Sequence, residues 1–241
     1  MNPFVQLVKD LSGRIGNGFS SLNQNEPSNL AYLRNLEREM KSKDVLDLPF
    51  EELNITIFDL ETTGFYPYKG DQILSIGAVK VKGMNILDQQ KFYSVVQTDA
   101  IPSQEISNLT GITKEMIQNA PLLRDVLKDF FGYVKKDLLV AHHANHERQF
   151  MNHATWLTLK KKFQHRIVDT TFLTKVLEEE EQLITLDECC NHFRIKNEQR
   201  HHALSDAMAT ANLWVACVQE LQKQGFTNLN DVYTKLATLR E

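Results

Sequence analysis

The chain has 241 residues, 42% hydrophobic and 24% charged, which suits one large domain with an appendage or two small ones. A net charge of −4 excludes a protein that coats nucleic acid by bulk electrostatics, but not an enzyme that grips a few terminal nucleotides. Three cysteines (Cys189, Cys190, Cys217) lack metal-type spacing and read as reduced core thiols, and no stretch approaches the ~18 apolar residues of a membrane span.

Residues 1–52 stand apart as a helical N-terminal extension. Phe4, Leu7, Val8, Leu11 and Ile15 recur at helical spacing until Gly16 and Gly18. A polar linker runs from Ser20 to Asn29, and Leu30, Leu33, Leu36 and Met40 form a second stripe. Two short amphipathic helices packed on the rest of the chain are expected. Lys9, Asp10 and Arg14 interrupt the apolar residues, so no signal peptide is read and a cytoplasmic location is expected.

Residues 53–241 form the second unit. Ile55–Leu60, Gln72–Val81 and Lys91–Val96 read as strands, with turns at Tyr66–Gly70 and Gly83–Asn85. Pro121–Tyr133 reads as a helix and Leu138–Val140 as a short buried strand. A helix over Glu147–Leu159 and a strand at Arg166–Val168 come next. Helices over Thr171–Glu181, Leu186–His192, Ala203–Gln222 and residues 228–239 complete the chain. Strands in succession and then alternating with helices predict an α/β domain with a mixed sheet. Glu178–Glu181 and Lys160–Lys162 read as solvated charge runs.

The most informative string is Ile55-Thr-Ile-Phe-Asp59-Leu-Glu61-Thr-Thr-Gly64. Strand side chains alternate, so Ile55, Ile57, Asp59 and Glu61 share one face. Two carboxylates side by side at the end of an apolar strand repel unless a cation lies between them. Oxygen ligands with no sulfur nearby favour Mg²⁺ or Mn²⁺ over zinc. Thr62-Thr63-Gly64 then turns the chain and leaves the pair at a loop-lined mouth.

Asp-Leu-Glu-Thr-Thr-Gly resembles the first motif of the DnaQ-like, DEDDh-type 3′–5′ exonucleases, the superfamily of proofreading exonucleases and RNase T. Four further segments follow in that family's order: Asp71–Val79, Ile106–Thr113, Val168-Asp169-Thr170, and His201-His-Ala-Leu-Ser-Asp206 in place of its His-x-Ala-x-x-Asp. The resemblance covers about residues 52–222. It implies a ribonuclease-H-like mixed sheet flanked by helices and a metal-dependent 3′–5′ exonuclease. Two divalent ions, Mg²⁺ or Mn²⁺, would be held by Asp59, Glu61, Glu147 and Asp206, with His201 as general base and nucleoside 5′-monophosphates as products. Thr63, Gly64, Phe65 and His142 would border the terminal nucleotide. The implied partner is a single-stranded DNA or RNA 3′ end; a polymerase or other protein partner is left open, and no membrane is implied.

The second motif departs from the family. Where the family reads Ala-His-Asn-Ala-x-Phe-Asp, this chain reads Ala141-His-His-Ala-Asn-His-Glu147. The charge is kept, but the carboxylate stands one methylene further from the backbone; Asp169 is a nearby carboxylate that could assist or merely cap a loop. Two rival functions follow. A zinc hydrolase would need His-Glu-x-x-His or its inverse, and His-His-Ala-Asn-His-Glu fits neither. A catalytically weak or inactive nucleic-acid-binding module of the same fold is the stronger alternative, because Glu147 and His146 are unusual.

Overall fold

The computed structural model describes residues 45–178 and 183–239. Both N-terminal helices expected before residue 45, and most of the Glu178–Glu181 run, lie outside the described residues. Five strands make one sheet: β1 (Asn54–Thr62), β2 (Ile73–Lys82), β3 (Asn85–Val95), β4 (Leu138–Ala141) and β5 (Ile167–Asp169), in the order β3-β2-β1-β4-β5. The hairpin strands β1, β2 and β3 run antiparallel, while β4 and β5 join β1 in parallel. Helices α1 (Gln104–Thr110), α2 (Lys114–Gln118) and α3 (Leu123–Val134) precede β4. Helix α4 (Asn145–Leu159) links β4 to β5, and α5 (Thr171–Leu177), α6 (Leu186–His192), α7 (Ala203–Lys223) and α8 (Leu229–Thr238) follow. This is the expected ribonuclease-H-like mixed sheet flanked by helices.

Alternation along the strands builds a core on each face. On one face, Ile55 and Ile57 of β1 pack with Val79, Val81, Val140 and the helices α5 to α8, around the buried Trp214. The other face sets Phe58 and Leu60 against Phe130 of α3 and Phe150 and Met151 of α4. Cys189, Cys190 and Cys217 are buried free thiols in the first core. Among the described residues no helix is long and apolar enough to cross a membrane.

Two expectations need correction. Strand β3 starts at Asn85, not Lys91, because Gly83 (φ 57°) closes a tight hairpin. Its ladder jumps from Lys80–Leu87 to Val79–Lys91, so the polar Asp88, Gln89 and Gln90 form a bulge on the sheet's outer strand. The boundary expected after residue 52 also moves. Short 3₁₀ turns at Val45–Asp47 and Phe50–Glu52 bury Leu46 and Phe50 in the first core, and the Phe50 amide donates to the Thr227 carbonyl at 3.0 Å. Residues 45–52 therefore belong to the folded domain.

Candidate active site

Asp59 and Glu61 continue the Ile55–Ile57 face of β1 beyond the point where apolar side chains cover it. That face meets the start of α7, whose first turn carries Asp206. Gly77 of β2 makes the approach possible. It pairs directly with Asp59, and a Cβ at Gly77 would lie 2.2 Å from the Ala203 carbonyl carbon and 2.2 Å from the Leu204 nitrogen. Only a glycine lets the first turn of α7 rest on the sheet there. As a result, carboxylate oxygens of Asp59, Glu61 and Asp206 all lie within 4.8 Å of one another, the one such group among the described residues.

Glu147 approaches from another element. It sits in the first turn of α4, only 3% exposed, and its Oε2 is buried with no hydrogen-bond partner. Glu147 and Asp206 are thus both placed at helix N-termini, where the helix dipole favours negative charge. The charges nevertheless crowd. Burial, then Glu147, Glu61 and Asp206, pushes the Asp59 carboxyl well above its ordinary range, against the opposing pull of Arg200. Glu147 is pushed up by burial and by Asp169 and Glu61. Burial and Asp206 raise Glu61 to about 7. A set of oxygens that resists ionisation on its own, one of them bare and buried, fits a hard divalent cation such as Mg²⁺ or Mn²⁺.

Asp206 already has protein partners. Its Oδ2 accepts from Arg200 Nη1 at 2.5 Å and from the His201 amide at 3.1 Å, and its Oδ1 accepts from Asn197 at 2.6 Å. Arg200 also pairs with Asp187. Sequence reasoning missed Arg200 and Asn197, although an arginine directly before the His-x-Ala-x-x-Asp string was a visible signal. Gly77 was missed as well; a lone glycine in the apolar run Ile76-Gly77-Ala78 could have flagged a close backbone approach.

His201, at φ 63°, reaches the edge of the cluster through its backbone. His202 instead stacks on Tyr93, with ring centroids 4.6 Å apart. The other predicted residues fall in two places. Thr63, Gly64 and Phe65 open the β1–β2 loop. There the Gln72 amide donates to Thr63 Oγ1 at 2.9 Å, and Gly64 lies against Asp71, where a Cβ would be 2.4 Å from Oδ2. Phe65 is 75% exposed, so it is no core residue, and its ring meets His146 edge-on at 5.9 Å.

His142 is not brought to the mouth. It is buried, with Nδ1 2.8 Å from Thr170 Oγ1 and Nε2 3.0 Å from the Ile184 carbonyl oxygen. A carbonyl can only accept, so the ring carries its proton on Nε2 and takes the Thr170 hydroxyl proton at Nδ1. Burial and His143 lower it to about 4, which keeps the ring neutral. In this arrangement neither nitrogen is left for a nucleotide, or for the zinc ion of a rival hydrolase. Asp169 is likewise an anchor: its carboxylate accepts from the amides of His143 (3.1 Å), Ala144 (2.9 Å) and Thr171 (3.0 Å).

Comparison with known proteins places this geometry. The RNase T family model, described as an exonuclease, matches residues 56–214. A PolC-type DNA polymerase III of Oceanobacillus iheyensis is 37% identical over 177 residues, which is 73% of this chain but 12% of that relative. Two solved structures share the fold. The nuclease domain of 3′hExo, a DEDDh family member bound to rAMP, gives a TM-score of 0.61 at 19% identity, over 70% of this chain and 93% of that one. Exonuclease X in complex with 5′ overhanging duplex DNA gives 0.58 at 20% identity, over 74% and 98%. The matched span runs from β1 through the core of α7 and takes in Asp59, Glu61, Glu147, His201 and Asp206; the chain belongs to the RNase T exonuclease family and is a DnaQ-like exonuclease domain.

Proposed function

We propose that the chain is a metal-dependent 3′–5′ exonuclease that hydrolyses the terminal phosphodiester of a nucleic-acid strand and releases nucleoside 5′-monophosphates. The observation that carries this reading is the convergence of Asp59, Glu61 and Asp206, from β1 and α7, within 4.8 Å of one another. When bound, two divalent cations supply Lewis acidity to the phosphate and make a water molecule ionisable near neutral pH. Asp59, Glu61, Asp206 and Glu147 would hold them. Asp59, Glu61 and Glu147 would ionise fully as the cations offset the repulsion and burial that now raise them.

His201 takes the proton of the attacking water at a ring nitrogen, which an imidazole can accept and later release. Thr63, Gly64 and Phe65 border the terminal nucleotide, and the exposed Phe65 ring offers its face to the base. Because the similar PolC-type protein is a DNA polymerase, DNA 3′ ends are the first substrate to test and a polymerase is the partner to seek. A cytoplasmic location goes with that reading.

One experiment tests it: end-labelled single- and double-stranded DNA and RNA, digested with Mg²⁺, Mn²⁺ or EDTA. Mononucleotide release from the 3′ end that stops in EDTA and in Asp59→Ala is the expected result. Full release in either condition would overturn the metal-dependent mechanism.

A further inference from the structure

We propose that an exposed aromatic cleft beside the active site takes an unpaired base of the strand whose 3′ end the carboxylates hold. The identity of that strand rests on the exonuclease reading above. Helix α4 connects the two places. Its first turn carries Glu147, and its outward turns carry His153 and Trp156. His146 and His153 are seven residues apart, hence on one stripe and about 10.5 Å apart along the axis. Each meets a ring of the β1–β2 loop edge-on: His146 meets Phe65 at 5.9 Å, and His153 meets Tyr68 at 5.1 Å. The loop therefore runs along the helix from the catalytic turn outward.

At its far end Tyr68, Asn152, His153, Trp156 and Lys162 line a cleft of about 300 Å³. That is room for one flat ring system, near the lower limit for pockets that hold small ligands. Tyr68 is 67% exposed and Trp156 55% exposed, although rings of this size gain most from burial. Clustered exposed rings mark a binding surface. The cleft's chemistry selects the occupant. It has no aliphatic wall to receive a protein helix; it has ring faces, a carboxamide and one ammonium. Ring faces stack on any base without regard to sequence, and Lys162 can meet the adjoining phosphate.

With a net charge of −4 the chain offers a strand no bulk attraction, so a grip here is local, from the rings and the Lys160–Lys162 run beside them. The loop is also preorganised. Asp71 Oδ2 accepts the Tyr66 amide at 2.8 Å, the Lys69 amide donates to the Tyr66 carbonyl at 2.9 Å, and Lys69 lies over the Tyr66 ring.

Tryptophan fluorescence of the full chain tests the proposal, because the other tryptophan, Trp214, is only 1% exposed. Eight-residue dT and rU oligonucleotides, titrated in EDTA to block hydrolysis, should quench the Trp156 signal. Trp156→Ala should weaken octamer binding by roughly 5- to 150-fold. Tyr68→Ala, on the loop, should weaken it in the same direction, and Trp156→Phe should keep most of it. Turnover of the dinucleotide dTpdT in Mn²⁺ should stay unchanged in all three, because that substrate is too short to reach the cleft. Octamer affinity indifferent to both alanine variants would overturn the proposal, as it would if the cleft received a protein. An equal loss on dTpdT would also overturn it. If octamers quench Trp156 but nothing is hydrolysed, the cleft stands and the exonuclease reading falls.

Discussion

Replacing Gly77 by alanine tests the packing that assembles the site. The new Cβ would stand 2.2 Å from the Ala203 carbonyl carbon and the Leu204 nitrogen, and 2.5 Å from the Ala203 oxygen. Carbon atoms rest comfortably at about 3.5 Å, so the start of α7 must withdraw by roughly 1.3 Å. The obstacle is backbone on both sides, so no rotamer change relieves it. Asp206 rides on that turn and would leave the group of carboxylates that now lies within 4.8 Å. Misplacement by about 1 Å typically lowers turnover ~10²-fold, and overpacking costs about 1–3 kcal/mol of stability. Turnover of a 5′-labelled oligonucleotide and denaturant unfolding read the two effects separately. Gly132→Ala is the control: nothing lies within 4 Å of its Cβ, and a helical alanine should stabilise by about 0.5–1 kcal/mol. A Gly77→Ala enzyme with unchanged kcat would refute the claim that this contact sets the position of Asp206.

Three further outcomes are expected. His201→Ala should lower kcat by ~10²–10⁴, whereas His202→Ala should mainly lower the melting temperature by removing its stack on Tyr93; equal losses of kcat would mean that the base is misassigned. Glu147→Ala should be severely impaired with either ion, and Glu147→Asp should retain or raise activity with Mg²⁺; near-normal turnover by the alanine variant would show that Glu147 is no ligand. Metal removal should couple to pH. The folded chain keeps a proton on Glu61 up to about 7, while an unfolded glutamate loses it near its ordinary 4.5. Metal-free stability therefore falls as pH rises through that window, and Asp59 and Glu147 act in the same direction. Melting in EDTA should drop between about pH 5 and 7, and the gap to Mn²⁺-loaded protein should widen; a constant gap would remove the carboxylates as its cause.

Much of the fold was legible because its signals are local. Alternation in Ile55–Glu61 put two carboxylates on one face, and the structure puts them on the face that α7 covers. In the helix expected over Ala203–Gln222, Ala207, Ala211, Trp214, Val215 and Val218 share one side by their spacing, and the structure buries all of them but Val215, which is half-buried. What escaped depends on partners distant in sequence. Phe50 looked like part of an appendage because its backbone partner, Thr227, lies near the other end of the chain. Gly77 reads as an ordinary strand glycine until the start of α7 is known to rest on it. His142 looked like a nucleotide contact because nothing local shows that Ile184 and Thr170 occupy its nitrogens. Tyr68 and His153 meet only once the β1–β2 loop is laid along α4.

The departure at Glu147 takes on a definite physical form from its surroundings. The start of α4 lacks a capping side chain of its own, since Ala144 holds the N-cap position. Asp169, at the end of β5, supplies the acceptors instead, by receiving the amides of His143 and Ala144. His142 ties the same turn to Thr170 and Ile184, and the Thr170 amide donates back to the Ala141 carbonyl at 3.0 Å. These bonds fix the N-terminus of α4 from behind, so the helix cannot readily slide to absorb an added methylene. The adjustment falls on the side-chain torsions of Glu147, whose Oε2 is buried without a partner. A carboxylate placed by its own rotamer is less rigid than one placed by the helix. Mg²⁺ demands near-ideal octahedral geometry and is penalised by such looseness. Higher activity with Mn²⁺ is therefore expected to accompany Glu147, and the shorter carboxylate of Glu147→Asp should narrow the difference between the two ions.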